Sequence, residues 1–575
     1  MKNKQVMKIR SAVLLSALML PCVGASAQIR VNQVGMNPQQ EKVATIEGVA
    51  DVSHVKIVDA KGKTVNVQPK MLRIAKSPWS DKERTVVDFS ELTQPGRYML
   101  KYGKQTSPAF TIQENALEDV TKAAIKAFYL IRSGMPIEKQ YAGKFARPLG
   151  HPDTKVLVHP SAVSEGRPAG TVISSPGGWY DAGDYNKYIV NSAFSIGIML
   201  GSYEMNKARF DAIKLNIPES NNQTTDLLDE LMYNLKWMLT MQDPADGGVY
   251  HKLTTPNFEG FIMPTDCKQQ RYVVQKSTTA TLDFAAVMAQ AARIYRQNAD
   301  YPDFARQAEE AAKKAYEWAK QHPRQFYEQD RMNKEFQPAV STGTYGDGNA
   351  DDEWFWAATE LYFLTKDGQY ADVAKQYQPR YVGTPTWGMV STLGVFDWLT
   401  HEANAEMSKQ FRTQLLAFCD RILATTATSC FQTPSGNSPS DYAWGCLAEK
   451  FCGDGVMLLY AHQLTKDKKY MKGALQNVEY VLGRNATGYC YVTGFGTKRV
   501  MHPHHRVSEA DGIAEPMPGL LAGGPNPGQQ DLGSGLKYPS KQPDESFIDD
   551  MGSYASNEIA INWNATLVAL LGGVE

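Results

Sequence analysis

From Gln28 to about Gln113, apolar and polar residues alternate in short runs: KVATIEG (42–48) and HVKIVDA (54–60) lead into a Lys61-Gly62-Lys63 turn, and TVVDF (85–89) precedes PGRYMLKYG (95–103). Short strands at this spacing, punctuated by Pro and Gly, predict a small β-sandwich. It contains no set of catalytic residue types. At Asn115 the period changes from that of a strand to that of a helix. Leu117, Val120, Ala124, Ala127, Phe128 and Ile131 share one helical face, and Leu227, Leu228, Leu231, Leu235, Met238 and Leu239 share another. Further helices are predicted near 192–205, 278–296, 304–320, 353–364, 407–424, 442–463, 468–482 and 557–571. About a dozen helices without intervening strand runs predict an all-α toroid or solenoid, and no repeat of 34 residues or similar length supports the repeat-array version. The predicted domains are a sandwich over 28–113 and a helical domain over 114–575.

Residues 1–27 read as an export signal: Lys2, Lys4, Lys8 and Arg10 precede an apolar run from Ala12 to Leu20, and Ala25-Ser26-Ala27 forms a cleavage site. The expected location is periplasmic or secreted. Lipid attachment at Cys22 is the alternative, disfavoured by Pro21 before it. No later segment reaches the ~20 apolar residues of a transmembrane helix. A formal charge of −1 with no long run of one sign argues against nucleic acid or an anionic membrane as partner, and for an uncharged substrate. Nothing asks for an oligomer, so a monomer is expected. After the signal come Cys267, Cys419, Cys430, Cys446, Cys452 and Cys490, without zinc-type spacing, so buried free thiols are expected; a disulfide among Cys430, Cys446 and Cys452 stays open. Between Glu515 and Glu545 lies a Pro/Gly-rich segment whose length inside a helical domain points to function or disorder.

The stretch GGWYDAGDYNKY (177–188) puts Asp181 and Asp184 three positions apart among Trp179, Tyr180, Tyr185 and Tyr188. Asp beside Gly is common in turns, where it caps backbone N–H groups. The aromatic density favours a second reading, a carboxylate site lined for a sugar ring that is both stacked and hydrogen-bonded.

Near the C-terminus, in FIDDMGSYASNEIAINWNATLVALL, residues Phe547, Asp549, Tyr554, Glu558, Ala560, Asn564 and Ala565 stand at the spacing of the C-terminal signature of glycoside hydrolase family nine. GGWYDAGDYNKY resembles that family's Asp-bearing loop. VTGFGTKRVMHPHHR (492–506) resembles its histidine signature, departing only at Cys490, and QIRVNQVGMNP resembles the start of its immunoglobulin-like module. The resemblance implies an (α/α)6 toroid preceded by an immunoglobulin-like β-sandwich, hydrolysing β-1,4-glucan with inversion. That chemistry needs one carboxylic acid and one carboxylate base on opposite faces of the sugar. By resemblance Glu558 is the acid, Asp184 the base and Asp181 the residue that helps hold the water, with Asp549 of the signature grouped with them. At the start of a helix Glu558 would be held ionised by the dipole, so burial and the two aspartates must raise its pKa.

His504 and Arg506 match the histidine signature and are expected to contact sugar hydroxyls; the alternative is a surface basic cluster with His502 and His505. Trp387, Tyr554 and Trp179 are candidates for stacking, and Tyr250 and His251 for the cleft wall. No zinc is expected, because Ser133 and Gly150 stand where related enzymes carry cysteine and His151 with His159 is a poor set. GDGNADDEWFWAATELY (346–362) resembles a calcium-binding turn with Asp352 and Glu353 as its acid pair; an acidic first helical turn explains the same residues. No cofactor is expected for the chemistry. The alternatives in function are an exo-acting cellodextrinase or glucosaminidase, and a glycan-binding protein without turnover. Cellulose, mixed-linkage glucan and xyloglucan all remain open as substrates.

Overall fold

In the computed structural model, which describes residues 28–574, the alternating N-terminal segment forms two facing sheets. Strands β1 (Ile29–Arg30), β3 (Val43–Glu47), β6 (Glu83–Asp88) and β5 (Lys70–Lys76) make one sheet in that order. Strands β2 (Gly35–Met36), β9 (Phe110–Ile112), β7 (Gly96–Tyr102) and β4 (Lys56–Asp59) make the other, with β8 (Gln105–Thr106) on β7. Their inward residues, among them Ile46, Ile57, Val87, Leu100 and Phe110, form a core of their own, each buried side chain contributing about 1.5–3 kcal/mol. The export-signal reading lies outside the described residues.

Twelve helices of nine or more residues follow. They are α1 (Glu118–Leu130), α2 (Ile189–Met205), α3 (Asp226–Thr240), α4 (Thr278–Ile294), α5 (Phe304–Gln321), α6 (Asp351–Thr365), α7 (Gly368–Gln376), α8 (Ser391–His401), α9 (Glu406–Thr425), α10 (Gly453–Thr465), α11 (Lys468–Val481) and α12 (Ile561–Gly573). The even-numbered helices are buried almost all round, as in α2 and α12. The odd-numbered ones other than the more enclosed α3 leave one face to solvent, as in α5, whose Phe304, Ala308, Ala311, Ala312, Ala315 and Ala319 face inward under a charged outer face. A helix apolar on every side must be enclosed, so the even helices form an inner ring and the odd ones an outer ring. The (α/α)6 toroid expected from the sequence is the fold.

Three expectations need correction. A five-stranded sheet interrupts the helices, in the order β11 (Val172–Ile173), β10 (Val156–Val158), β14 (Tyr272–Val273), β13 (Lys252–Thr254), β12 (Lys187–Tyr188). Its strands have two or three residues each, too few to show alternation. The helix predicted over 442–463 begins only at Gly453, after a π-helical turn at Leu447–Cys452. The last helix begins at Ile561, so Glu558 lies ahead of it. Helices α7 and α8 were not anticipated, being short and set among Pro- and Gly-rich turns. All six described cysteines are free, five of them buried.

At the C-terminal ends of the inner helices, Arg293 of α4 pairs with Glu204 of α2, Glu360 of α6 and Asp397 of α8, and His401 joins Asp397. This buried network ties one end of the ring and leaves the other end to the loops. The sandwich is joined to the toroid by polar contacts of high sequence separation. Gln33 donates to Gly488 O (2.8 Å) and accepts from the N–H groups of Thr497 and Lys498 (2.9 Å each). Trp79 Nε1 donates to Asp544 (2.7 Å), and Arg84 and Lys82 pair with Glu545. The end of the Pro/Gly-rich segment is thus held by the sandwich, thirteen residues before Glu558. Trp79→Ala is expected to cost about 2 kcal/mol, to open 526–545 to limited proteolysis and to lower kcat. An unchanged cleavage pattern would show that the sandwich does not hold this segment.

Candidate active site

The functional-type side chains sit in loops that enter the N-terminal ends of the inner helices. Asp181 and Asp184 precede α2, Tyr345 precedes α6, Trp387 precedes α8, Glu449 precedes α10 and Glu558 precedes α12. They line one cavity of about 630 Å³, together with Tyr188, Phe258, Trp444, His504, Arg506, Tyr554, Asn562 and Trp563.

Gly183 is where the three sequence motifs meet. Its N–H donates to Glu558 Oε1 (3.3 Å), and its carbonyl accepts from Arg506 N–H (3.1 Å) and Arg506 Nη1 (2.7 Å). A β-carbon at this position would lie 2.2 Å from His504 O and 2.7 Å from the His504 ring, so only glycine permits the approach. On either side, Asp181 and Asp184 are buried and oriented by different partners. Asp181 accepts from Asn191 Nδ2 (2.7 Å) on one oxygen and from the Tyr345 hydroxyl (2.6 Å) on the other. Asp184 Oδ2 accepts from Asn186 Nδ2 (2.5 Å) and the Tyr188 hydroxyl (3.0 Å), whereas its Oδ1 is buried with no partner among the described residues. An orphaned carboxylate oxygen in a polar cavity is a seat for a water or a substrate group.

Glu558 has extended backbone (φ −70°, ψ 162°) at the end of the single turn Tyr554–Asn557 and bridges to His504, so the helix-dipole conflict expected from the sequence does not arise. Burial first, and the charge of Asp184 second, push its carboxyl up to about 8. The same two causes push Asp181 up to about 8, against its hydrogen bonds from Tyr345 and Asn191. Three carboxyls in one dry site cannot all be charged at neutral pH, and the protons they keep belong to the cluster. Behind them Lys252 is buried under the Tyr188 ring (5.5 Å), donating to Gly343 O (2.6 Å), Thr342 (3.0 Å) and Gln329 (2.7 Å). Its burial lowers its ammonium to about 7, while Asp184 pulls it up.

The family model for glycosyl hydrolase family 9 matches residues 118–571, and that for the cellulase N-terminal immunoglobulin-like domain matches 24–107. The chain belongs to glycosyl hydrolase family 9. It is 52% identical to a xyloglucan-specific endo-β-1,4-glucanase of Bacteroides ovatus, over 98% of this chain and 97% of the relative. It is 34% identical to endoglucanase D of Acetivibrio thermocellus, over 95% and 83%. A solved Bacteroides ovatus family 9 structure superposes with a TM-score of 0.90 at 52% identity, covering 95% of this chain and 98% of that one. Family 9 hydrolysis is inverting and needs no cofactor for its chemistry.

Set against the family 9 cavity, the sequence-predicted residues divide. Asp181, Asp184, Glu558, His504, Arg506, Tyr554 and Trp387 all line it. His504 Nδ1 donates to Met551 O (2.6 Å), and burial lowers its pKa, which leaves Nε2 as an acceptor on the neutral ring. Arg506 stacks over Phe258 and Phe261 (5.4 Å each), which rules out the surface-cluster reading.

Four predicted residues lie elsewhere. Asp549 accepts from the backbone N–H groups of Met501 and His502 and from Asn557 Nδ2, so it fastens the histidine loop to the acid segment and does not reach the cavity. Trp179 is fully buried against Phe128 (4.5 Å) with its Nε1 on Glu230. Tyr250 bonds Asp243 in the core. His251 stacks on Tyr327 (4.1 Å) and bonds Thr344 O (2.7 Å), supporting Tyr345 from behind. Trp179, Tyr250 and His251 are thus enclosed behind the cleft and do not line it. Sequence reasoning does not single out Tyr345, Trp444, Glu449 or Trp563, whose only signal is an aromatic or acid ahead of an inner helix or, for Trp563, in its first turn.

Of the proposed calcium pair, Asp352 accepts from Val390 N–H (2.8 Å), and Glu353 is buried beside Asp283. All four carboxyl oxygens of Glu353 and Asp283 lack partners among the described residues, and burial with the charge of Asp352 holds both well above the usual carboxylate range.

Glu558→Gln is expected to abolish turnover yet stabilise the fold. Between about pH 4.3 and the folded value near 8 the parent must keep a proton that its unfolded chain releases, so parent stability falls with rising pH. The variant has no such proton. The gap should widen across that window to the order of 5 kcal/mol and level off above it. Calorimetry of both proteins across the window checks this, and parallel curves would contradict a protonated Glu558.

Proposed function

We propose that this chain is an inverting endo-β-1,4-glucanase acting on the backbone of a xyloglucan, with Glu558 as general acid, Asp184 as general base and Asp181 orienting the water. The observation that carries the roles is the unpaired, buried Oδ1 of Asp184 set in one cavity with the buried carboxyl of Glu558, which the Gly183 N–H holds in place and whose burial favours the protonated form. Protonated Glu558 delivers its proton to the leaving oxygen. Asp184 takes a proton from the water that attacks from the opposite face, so the anomeric centre inverts. Tyr188 and Asn186 fix the base through its other oxygen, which leaves Oδ1 for the water. His504 and Arg506 stand beside the acid to receive sugar hydroxyls. The choice of xyloglucan follows the 52%-identical relative.

Proton NMR of early products should show the α-anomer first, and initial appearance of the β-anomer would overturn the roles. Asp184→Asn should lower kcat by roughly 10²–10⁴. Xyloglucan should be hydrolysed with a higher kcat/KM than carboxymethylcellulose, with rapid loss of viscosity. The reverse order would remove the xyloglucan assignment and leave the chemistry standing.

We further propose that the unpartnered oxygens of Glu353 and Asp283, with Asp352, hold a structural calcium ion. The donor chemistry suits one: hard carboxylate oxygens, buried and uncompensated, are what Ca²⁺ neutralises. A chelator should lower the Tm and calcium should restore it, an effect lost in Glu353→Gln. A Tm indifferent to both would mean that the pair is neutralised by protons instead.

A further inference from the structure

Glu449 lines the cavity but takes no part in the mechanism above. It lies in the π-helical turn Leu447–Cys452, and Trp444 and Trp563 line the same cavity. An inserted π turn costs helix hydrogen bonding and recurs at functional sites because it re-aims side chains. Here Gly453 N–H reaches back to Ala448 O across that turn, and the Leu447 N–H is tied to Gly523 O. The carboxyl of Glu449 is half-buried and has no hydrogen bond or ion pair with any described residue. Its neighbour Lys450 is turned to Asp441 and Asp454. Burial alone lifts Glu449 to about 7, and it is carried by the turn before α10, whereas the reacting trio comes from the loops before α2 and α12.

The surroundings are those of a sugar ring. Trp563 lies against Gly445 and Gly523, where a β-carbon would strike its indole at 2.5 and 3.1 Å, so its plane is fixed. Trp444 is 41% exposed and packs against Tyr554 (5.4 Å). A fixed indole supplies a stacking face, and an unpaired carboxyl in the same cavity supplies two oxygens suited to adjacent hydroxyls. We propose that Glu449 is a substrate-binding residue that accepts hydrogen bonds from the hydroxyls of a glucosyl unit seated against Trp444 and Trp563, away from the bond that is cut. The proposal rests on the reading of this cavity as a glucan cleft.

The test is calorimetric binding of cello-oligosaccharides of increasing length to Glu558→Gln, alone and combined with Glu449→Ala or Glu449→Gln. Affinity should step up when the chain becomes long enough to reach Glu449. Glu449→Ala should remove that step, a loss of about ten- to a hundredfold for the longer ligands, and leave the shorter ones unchanged, with Glu449→Gln intermediate. In the active enzyme the same change should raise KM on polymer far more than it lowers kcat. An unaltered length profile, or an equal loss at every length, would overturn the role of Glu449. Failure of Glu558→Gln to bind any length would instead overturn the glucan reading, and the proposal with it.

Discussion

The close approach at Gly183 is the constraint on which the site depends. One residue without a side chain lets the aspartate loop, the histidine loop and the acid segment touch. Its N–H meets Glu558, its carbonyl meets Arg506, and the space a β-carbon would need is filled by His504. Ile561 N–H then bonds Asp181 O (2.8 Å), so the loop that carries the aspartates also fixes the start of the helix after the acid. Motifs some 380 residues apart in sequence become one site because each of them meets the backbone of this loop, whose position no rotamer change can adjust.

The toroid makes this approach available. Its inner helices are tied at their C-terminal ends by Arg293 and the acids around it, and each sends a loop inward at the other end. Function gathers where the scaffold is rigid and the loops are free to vary. Enclosure also sets the charge balance. A cavity dry enough to raise two carboxyls to about 8 holds Glu558 in the form a general acid needs, with Asp184 anchored by neutral donors only, Asn186 and Tyr188. The cost is a buried group that opposes folding as pH rises, so acid function and stability pull in opposite directions at one residue.

What the sequence revealed follows from how each feature is encoded. The sandwich and the run of helices were legible because alternation and helical period are local properties, whereas the toroid and the trio of carboxylates followed from the resemblance of the motifs to family 9. The small sheet was not legible, since strands of two or three residues show no period, yet it sets Tyr188 opposite Lys252 and so orients the base. Trp179 and His251 have the composition of cleft residues, and only tertiary enclosure turns them into its backing. Asp549 shows the same limit from the other side: it stands in the signature because it holds the histidine loop, a role that spacing cannot separate from catalysis.

The sandwich belongs to the same chain of dependence. It contributes no lining residue, but Trp79, Lys82 and Arg84 hold Asp544 and Glu545, and from there the chain runs through Asp549 and the Tyr554 turn to Glu558. An acid placed by backbone contact at Gly183 can be no better positioned than the segment that delivers it. That segment is irregular, with hydrogen bonds to turns and to a neighbouring domain in place of a helix ladder. The immunoglobulin-like module therefore acts as an outer wall for the acid's approach, which explains why directional polar bonds accompany the apolar packing of Val43, Ala75 and Val86 onto the toroid: apolar packing alone would hold the two bodies together without fixing their register.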